Sequence, residues 1–234
     1  RGGGPGAIIL VSRGAHDDDL VGEWVSVHEL SHLLIPPVKH GEPWLSEGLA
    51  SYYQQIARGR AGLLSEADAW AGLVDGFDRG RADGSSEPLS KAAAHMGFPG
   101  AGFVHVYWGG AAILFELDVA LRQKGRSLDE LVANVRAREP VDVTYRAADD
   151  VVGWFAADAP DVDVRGIVAR GLAAPFPDVD ADLAALGIRR AARDGGDGGD
   201  RRVRFDDDAP LAAVRRAIMQ RGDTKPRNVV NSRR

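Results

Sequence analysis

Residues 27–53 read VHELSHLLIPPVKHGEPWLSEGLASYY, and this stretch organises the rest of the chain. His28, Glu29 and His32 form H-E-x-x-H inside a segment whose apolar residues Leu20, Val21, Trp24, Val25, Val27 and Leu30 recur at helical spacing. A helix is therefore expected over 19–34, with Asp17, Asp18 and Asp19 as cap and favourable charge, and Pro36 and Pro37 as its stop. Four residues apart, the two imidazoles share one face, one turn apart, and can grip a single small cation. Glu29 lies about 100° around the helix from His28, beside the cation's open position, where a base for metal-bound water belongs. A second helix is expected from Pro43, a favoured first position, through Trp44, Leu45, Leu49, Tyr52, Tyr53 and Ile56 to Gly59. His32 and Glu47 each stand roughly 5–6 Å from the link along their helices, so antiparallel packing brings Glu47 level with the histidines as a third ligand. The competing carboxylates are Glu42, within the link, and Glu23, five residues before His28 and around the helix.

Composition narrows what such a site can be. With 234 residues and 44% hydrophobic content the chain can bury a substantial core. Its 29 Lys plus Arg against 34 Asp plus Glu give a net charge of -5, which argues against a general nucleic-acid or anionic-membrane binder. The absence of cysteine excludes disulfides and thiolate zinc sites, leaving His, Asp and Glu to hold any metal. No run approaches the roughly 18 consecutive apolar residues of a membrane span. The chain starts at Arg1, and the expectation is a processed or excised piece with upstream parts missing.

Further along, a strand is expected at 7–11 and a helix opening on a Ser65–Asp68 capping box and reaching about Arg79. Residues 80–101, rich in Gly, Ser and Pro, read as a long loop. The most apolar helix covers 103–124 and ends at Gly125, and a Ser127–Glu130 box opens the next, to about Arg138. Helical patterns follow at 145–157, 162–172 and 180–186, then an expected strand at 203–205 and an amphipathic helix at 210–220. The fold class is mainly α (α+β). The expected organisation is one catalytic domain at 1–190, a Gly/Asp linker at 191–200, a strand-helix appendage at 201–221 and a disordered tail at 222–234.

The block 27–53 resembles the gluzincin metallopeptidases, whose pattern is H-E-x-x-H, a spacer, then W-L-x-E-G-x-A-x-Y; the second half matches at 44–52. Residues 107–131, YWGGAAILFELDVALRQKGRSLDEL, are similar to the stretch after the zinc site in the glycyl aminopeptidase family, where Y-x-K-G opens a long apolar helix and S-L-D-D the next. The resemblance covers about 20–140. It implies a thermolysin-like catalytic domain, expected here with a short N-terminal strand and without the family's upstream β-domain, and one zinc ion per chain on His28, His32 and Glu47. It also implies that Tyr107 steadies the tetrahedral intermediate and that the activity is that of an aminopeptidase.

The departures are Gly109 in place of the family's lysine, a short spacer between His32 and Glu47, and no glutamate before Glu23 to hold a substrate's free amine. Ser51 stands where thermolysin-like sites often place an aspartate to orient a histidine, so another acceptor is expected to fix the tautomer. The expected function is zinc-dependent hydrolysis of peptide bonds in a peptide or protein substrate, by metal-activated water with Glu29 as general base. An extended substrate is expected to lie along the strand at 7–11.

The alternative is a non-catalytic zinc-stabilised helical binding module, a degenerate peptidase, favoured by Gly109 and the short spacer and disfavoured by Glu29 and Tyr107. A metal-free helical scaffold is the third reading. His16, His40, His95 and His105 lack ligand spacing among themselves and read as solvated or structural, with His40 and His105 near enough in sequence to line the pocket. The Arg-rich tail reads as solvated because Asp residues surround it.

Overall fold

The computed structural model describes residues 13–14, 16, 23–84, 86–96, 102–139, 144–191 and 203–220; the expected strand at 7–11, the cap at 17–19, most of the linker and the tail lie outside them. In chain order the helices are α1 (Val25–Ser31), prolonged by one tighter turn at His32–Leu34, α2 (Trp44–Arg60), α3 (Glu66–Ala82), α4 (Leu89–Ala94) and α5 (Phe103–Gln123). They continue as α6 (Leu128–Arg138), α7 (Ala148–Asp158), α8 (Val164–Ala173) and α9 (Asp180–Ala185). Strands β1 (Ile188–Arg190) and β2 (Val203–Phe205) and helix α10 (Ala212–Met219) complete the order. The described protein is mainly helical, with a single two-stranded sheet.

The most apolar segment forms the helix on which the others pack. α5 is the one described helix long and apolar enough to cross a membrane, and 78% of its apolar window is buried inside the protein, which accounts for that apolarity. α2, α3, α4, α8 and α10 all lie against it. Three consecutive residues of α5 meet three different neighbours. The Trp108 side chain fills the space left by Gly76 and Gly80 on α3, where a Cβ would meet it at 2.2 and 2.6 Å. Gly109 faces the buried Leu89 of α4, and Gly110 abuts α2, where its added Cβ would lie 1.9 Å from the Trp44 carbonyl oxygen. The matching position on α2 is Gly48, whose Cβ would fall 2.4 Å from the Gly110 carbonyl carbon. Backbone therefore touches backbone where α2 crosses α5.

The expected helix signals operate at several ends. Ser65 Oγ accepts from the Asp68 N–H at 3.1 Å, Ser127 Oγ accepts from the Glu130 N–H at 3.2 Å, and Gly125 adopts φ +72° after α5. Two features differ from expectation. The loop read over 80–101 contains α4, because Leu89 and Ala93, one turn apart, both bury against the core and the Leu89 N–H donates to the Ala174 carbonyl. Ile188–Arg190, to which no strand was assigned, pairs antiparallel with Val203–Phe205, an expected strand that thereby gains its partner. α10 packs on α2 and α5, burying Ile218 completely.

A polar network closes the same end. Tyr52 Oη donates to Asp118 and Tyr53 Oη to Asp129, each at 2.8 Å. Arg60 forms a two-pronged pair with Asp129 at 2.9 and 3.0 Å, and Arg122 bonds both Asp118 and Asp129. The two arginines also donate to the Ile218 and Ala217 carbonyls of α10, satisfying acceptors that a helix C-terminus leaves open.

Candidate functional site

The chain reverses between α1 and α2 within a link that is itself pinned. Val38 bridges Arg146 in parallel fashion, the Lys39 N–H donates to the Arg146 carbonyl, and the Arg146 N–H donates to the Pro37 carbonyl. Gly41, at φ +92°, completes the turn, and Pro43 precedes the first residue of α2. Glu42 is engaged elsewhere, its carboxylate accepting from the Ala148 N–H at 2.9 Å at the start of α7. Glu23 accepts from the Val25 N–H at the start of α1, and neither rival carboxylate joins the group formed by His28, His32 and Glu47.

His28, His32 and Glu47 converge. One donor atom from each lies within 4.8 Å of the other two. His28 Nε2 is 3.3 Å from Glu47 Oε2, and His32 Nε2 is 3.6 Å from the same oxygen. Ligands at roughly 2.0–2.2 Å from zinc in tetrahedral arrangement stand roughly 3.3–3.6 Å apart, and both histidine-to-carboxylate distances fall in that range. The donor set, two imidazoles and a carboxylate, is the chemistry that zinc takes in sites with an open position. His28 is buried and the other two are partly exposed, which leaves one side reachable by solvent.

The remaining ring nitrogens are occupied. His28 Nδ1 lies 2.9 Å from Gln54 Oε1, and His32 Nδ1 lies 2.9 Å from Ser46 Oγ. Ser51 does not serve here; the acceptor for His28 comes three residues later on α2. Burial pulls the His28 pKa down, but hydrogen bonds with Glu47 and Gln54 and the charges of Glu47 and Glu29 outweigh it, and the net shift is upward. At His32 burial prevails over Glu47 and the pKa falls, with His28 adding to the fall.

Tyr107, one turn into α5, stacks on His28 with ring centroids 5.9 Å apart and planes at 18°. Burial, the Glu47 charge and a hydrogen bond to that carboxylate push its hydroxyl up to about 12. Glu29 is not one of the three donors, but its charge reaches His28, His32 and Tyr107. Trp24 meets His28 edge-on at 5.7 Å, one turn earlier on the same face.

The other histidines lie apart from this centre. His105, two residues before Tyr107, turns away: its Nδ1 is 2.9 Å from the Gly80 carbonyl and its ring lies against Phe176. His40 sits on the exposed Tyr145 ring, 5.6 Å away. Gln54 and Ser46 were not assigned from sequence. Gln54 follows Glu47 by seven residues, two helical turns, and that spacing was the signal available. No family model, curated protein or solved structure matches the chain.

Proposed function

We propose that this protein is a zinc-dependent peptidase of the gluzincin kind, with a thermolysin-like catalytic domain. The observation that carries the reading is the convergence of His28, His32 and Glu47 at ion-compatible spacing on two helices whose sequence resembles that family. Zinc, when bound, makes water nucleophilic at neutral pH and polarises the scissile carbonyl. Glu29 accepts the attacking water's proton and delivers it to the departing amine. The Tyr107 hydroxyl, kept protonated by its raised pKa, donates a hydrogen bond to the oxygen on which negative charge develops. Such a bond is stronger in the transition state than in the bound substrate and so lowers the barrier. Gln54 and Ser46 hold the two imidazoles in orientation.

Gly109 bears on the departure from the family pattern. A Cβ there would meet Leu89 at 2.7 Å, so α4 covers the place where the family carries a lysine. The test compares the protein with Glu29→Gln on a mixed peptide library, both at full zinc occupancy. Turnover lost only in the variant supports the peptidase, and products ending at a single removed residue assign an aminopeptidase. Equal, null turnover favours the zinc-stabilised binding module.

A further inference from the structure

The proposed centre places a demand on proton position that its neighbours meet unequally. In each histidine Nε2 is the nitrogen that faces Glu47, so it must be bare to bind an ion and the ring proton must sit on Nδ1. His32 Nδ1 meets the Ser46 hydroxyl, which donates or accepts with equal ease and so imposes no tautomer. His28 Nδ1 meets Gln54 Oε1, an atom that only accepts. Both members of that pair are 5% exposed, so no solvent competes for the contact. Two turns separate Gln54 from Glu47 on α2, and the same rigid helix thus presents a carboxylate to one edge of His28 and an amide oxygen to the other.

We propose that Gln54 is the positioning residue that selects the metal-binding tautomer of His28, whereas Ser46 supports His32 without selecting. The inference rests on the metal centre proposed above. A glutamine can present either end of its amide. With the end reversed, its NH2 would donate to Nδ1, the ring proton would move to Nε2 and point at Glu47, and the position between them would be closed to a cation. Metal affinity therefore depends on which end of one uncharged side chain faces the ring. A glutamate at 54 has oxygens at both ends and accepts in either orientation. Methionine matches the shape and accepts poorly.

The experiment measures zinc affinity by competition with a chromogenic chelator at one neutral pH, for the wild type, Gln54→Met, Gln54→Glu and Ser46→Ala. In parallel, 15N NMR of the metal-free proteins shows whether Nδ1 of His28 carries a proton, and thermal midpoints without metal check the fold. Gln54→Met is expected to weaken zinc binding about 10–100-fold and to mix the His28 tautomers. Gln54→Glu is expected to keep the Nδ1–H tautomer and at least wild-type affinity, and Ser46→Ala to cost less than Gln54→Met. A wild-type His28 whose Nδ1 carries no proton would overturn the proposal without any variant, because the Gln54 oxygen could then not be the group that faces it. So would a Gln54→Met protein that binds zinc as tightly as the wild type. A wild type that binds no zinc refutes the metal centre instead, and the NMR measurement then still decides the tautomer.

Discussion

The contact between Gly48 and Gly110 fixes the spacing of α2 and α5, and with it how far Tyr107 stands from His28, His32 and Glu47; Gly110→Ala changes that spacing. The new Cβ would lie 1.9 Å from the Trp44 carbonyl oxygen, whereas real contacts of this kind essentially never fall under 3.0 Å, so α2 and α5 must part by about 1.1 Å or more. The obstacle is backbone and cannot rotate away. Overpacking of this kind costs about 1–3 kcal/mol, partly offset by the roughly 1 kcal/mol that alanine gains over glycine in a helix. For a chain of this size the net loss lowers the thermal midpoint by a few degrees, at about 2–4 °C per kcal/mol. The functional effect is larger than the structural one. His28, His32 and Glu47 belong to α1 and α2 with the intervening turn and move together, so zinc stoichiometry stays at the wild-type value. Tyr107 belongs to α5, and a displacement near 1 Å from the reacting atoms costs about 100-fold in turnover. The assay combines calorimetry, metal analysis and peptide turnover on one preparation. Wild-type midpoint and wild-type turnover in Gly110→Ala would refute the reasoning, and lost zinc would show that the donors do not move as a unit.

Other substitutions probe separate parts. Tyr107→Phe should retain zinc and lower kcat about 100- to 1,000-fold with little change in KM, measured by steady-state kinetics on any peptide the protein cleaves. The folded Tyr107 hydroxyl is raised to about 12, so its contribution to stability is present below the unfolded value near 10 and is lost as pH climbs through 12; Tyr107→Phe should flatten the alkaline fall of the thermal midpoint. Asp182 is pushed up to about 6 by burial and then by the charges of Glu116 and Asp178. Its penalty therefore appears above the unfolded value near 4, and Asp182→Asn should stabilise at neutral pH by about 1 kcal/mol after solvent screening, with no gain below pH ~4 in a midpoint series.

Burial raises Asp129, but the hydrogen bond and charge of Arg60, the Tyr53 hydroxyl and Arg122 outweigh it and bring it below its usual value. Asp129→Asn should destabilise by about 3 kcal/mol at neutral pH in urea unfolding, and the gap should close as pH falls through the lowered pKa; a constant gap would contradict the linkage.

The parts of the molecule that were legible in the sequence are those fixed by local rules. H-E-x-x-H on an apolar period places two imidazoles on one face, and the proline stops place Glu47 opposite them, because helix geometry leaves few alternatives. Capping serines at 65 and 127 act through bonds three residues away, so they too are local. The missed features depend on distant partners. LSKAAA is rich in good helix formers, but at six residues among Gly, Ser and Pro it is too short to hold a helix until Leu89 has Gly109 to cover, and Ile188–Arg190 becomes a strand only because Val203–Phe205 lies beside it. Gln54 reads as an ordinary helix residue until α1 folds back and brings His28 to it. His105 shows the converse error of inference by adjacency, since two residues along a helix point about 200° apart.

Those distant partners explain why one helix can carry so much of the site. α2 supplies the carboxylate Glu47, the side-chain partners of both histidines, the close approach at Gly48, and the two tyrosines that anchor it to Asp118 and Asp129. A helix free to slide by one residue would shift each of these by 1.5 Å along its axis, more than a metal centre tolerates. Sliding is opposed at both ends. Near the N-terminus the glycine contact with α5 locks position by shape, and near the C-terminus Arg60 is fixed by two oxygens of Asp129 and by the Ile218 carbonyl. The strand and helix at 203–219 thus lie far from His28 in sequence yet bear on its position, because α10 completes the arginine network that holds α2. A buried charged network of this kind is weak as a source of net stability, since desolvation offsets attraction, but its directional bonds define one register and exclude its neighbours. The physical division of labour follows: apolar packing around α5 stabilises the fold, and the polar contacts of α2 determine where His28, His32 and Glu47 stand.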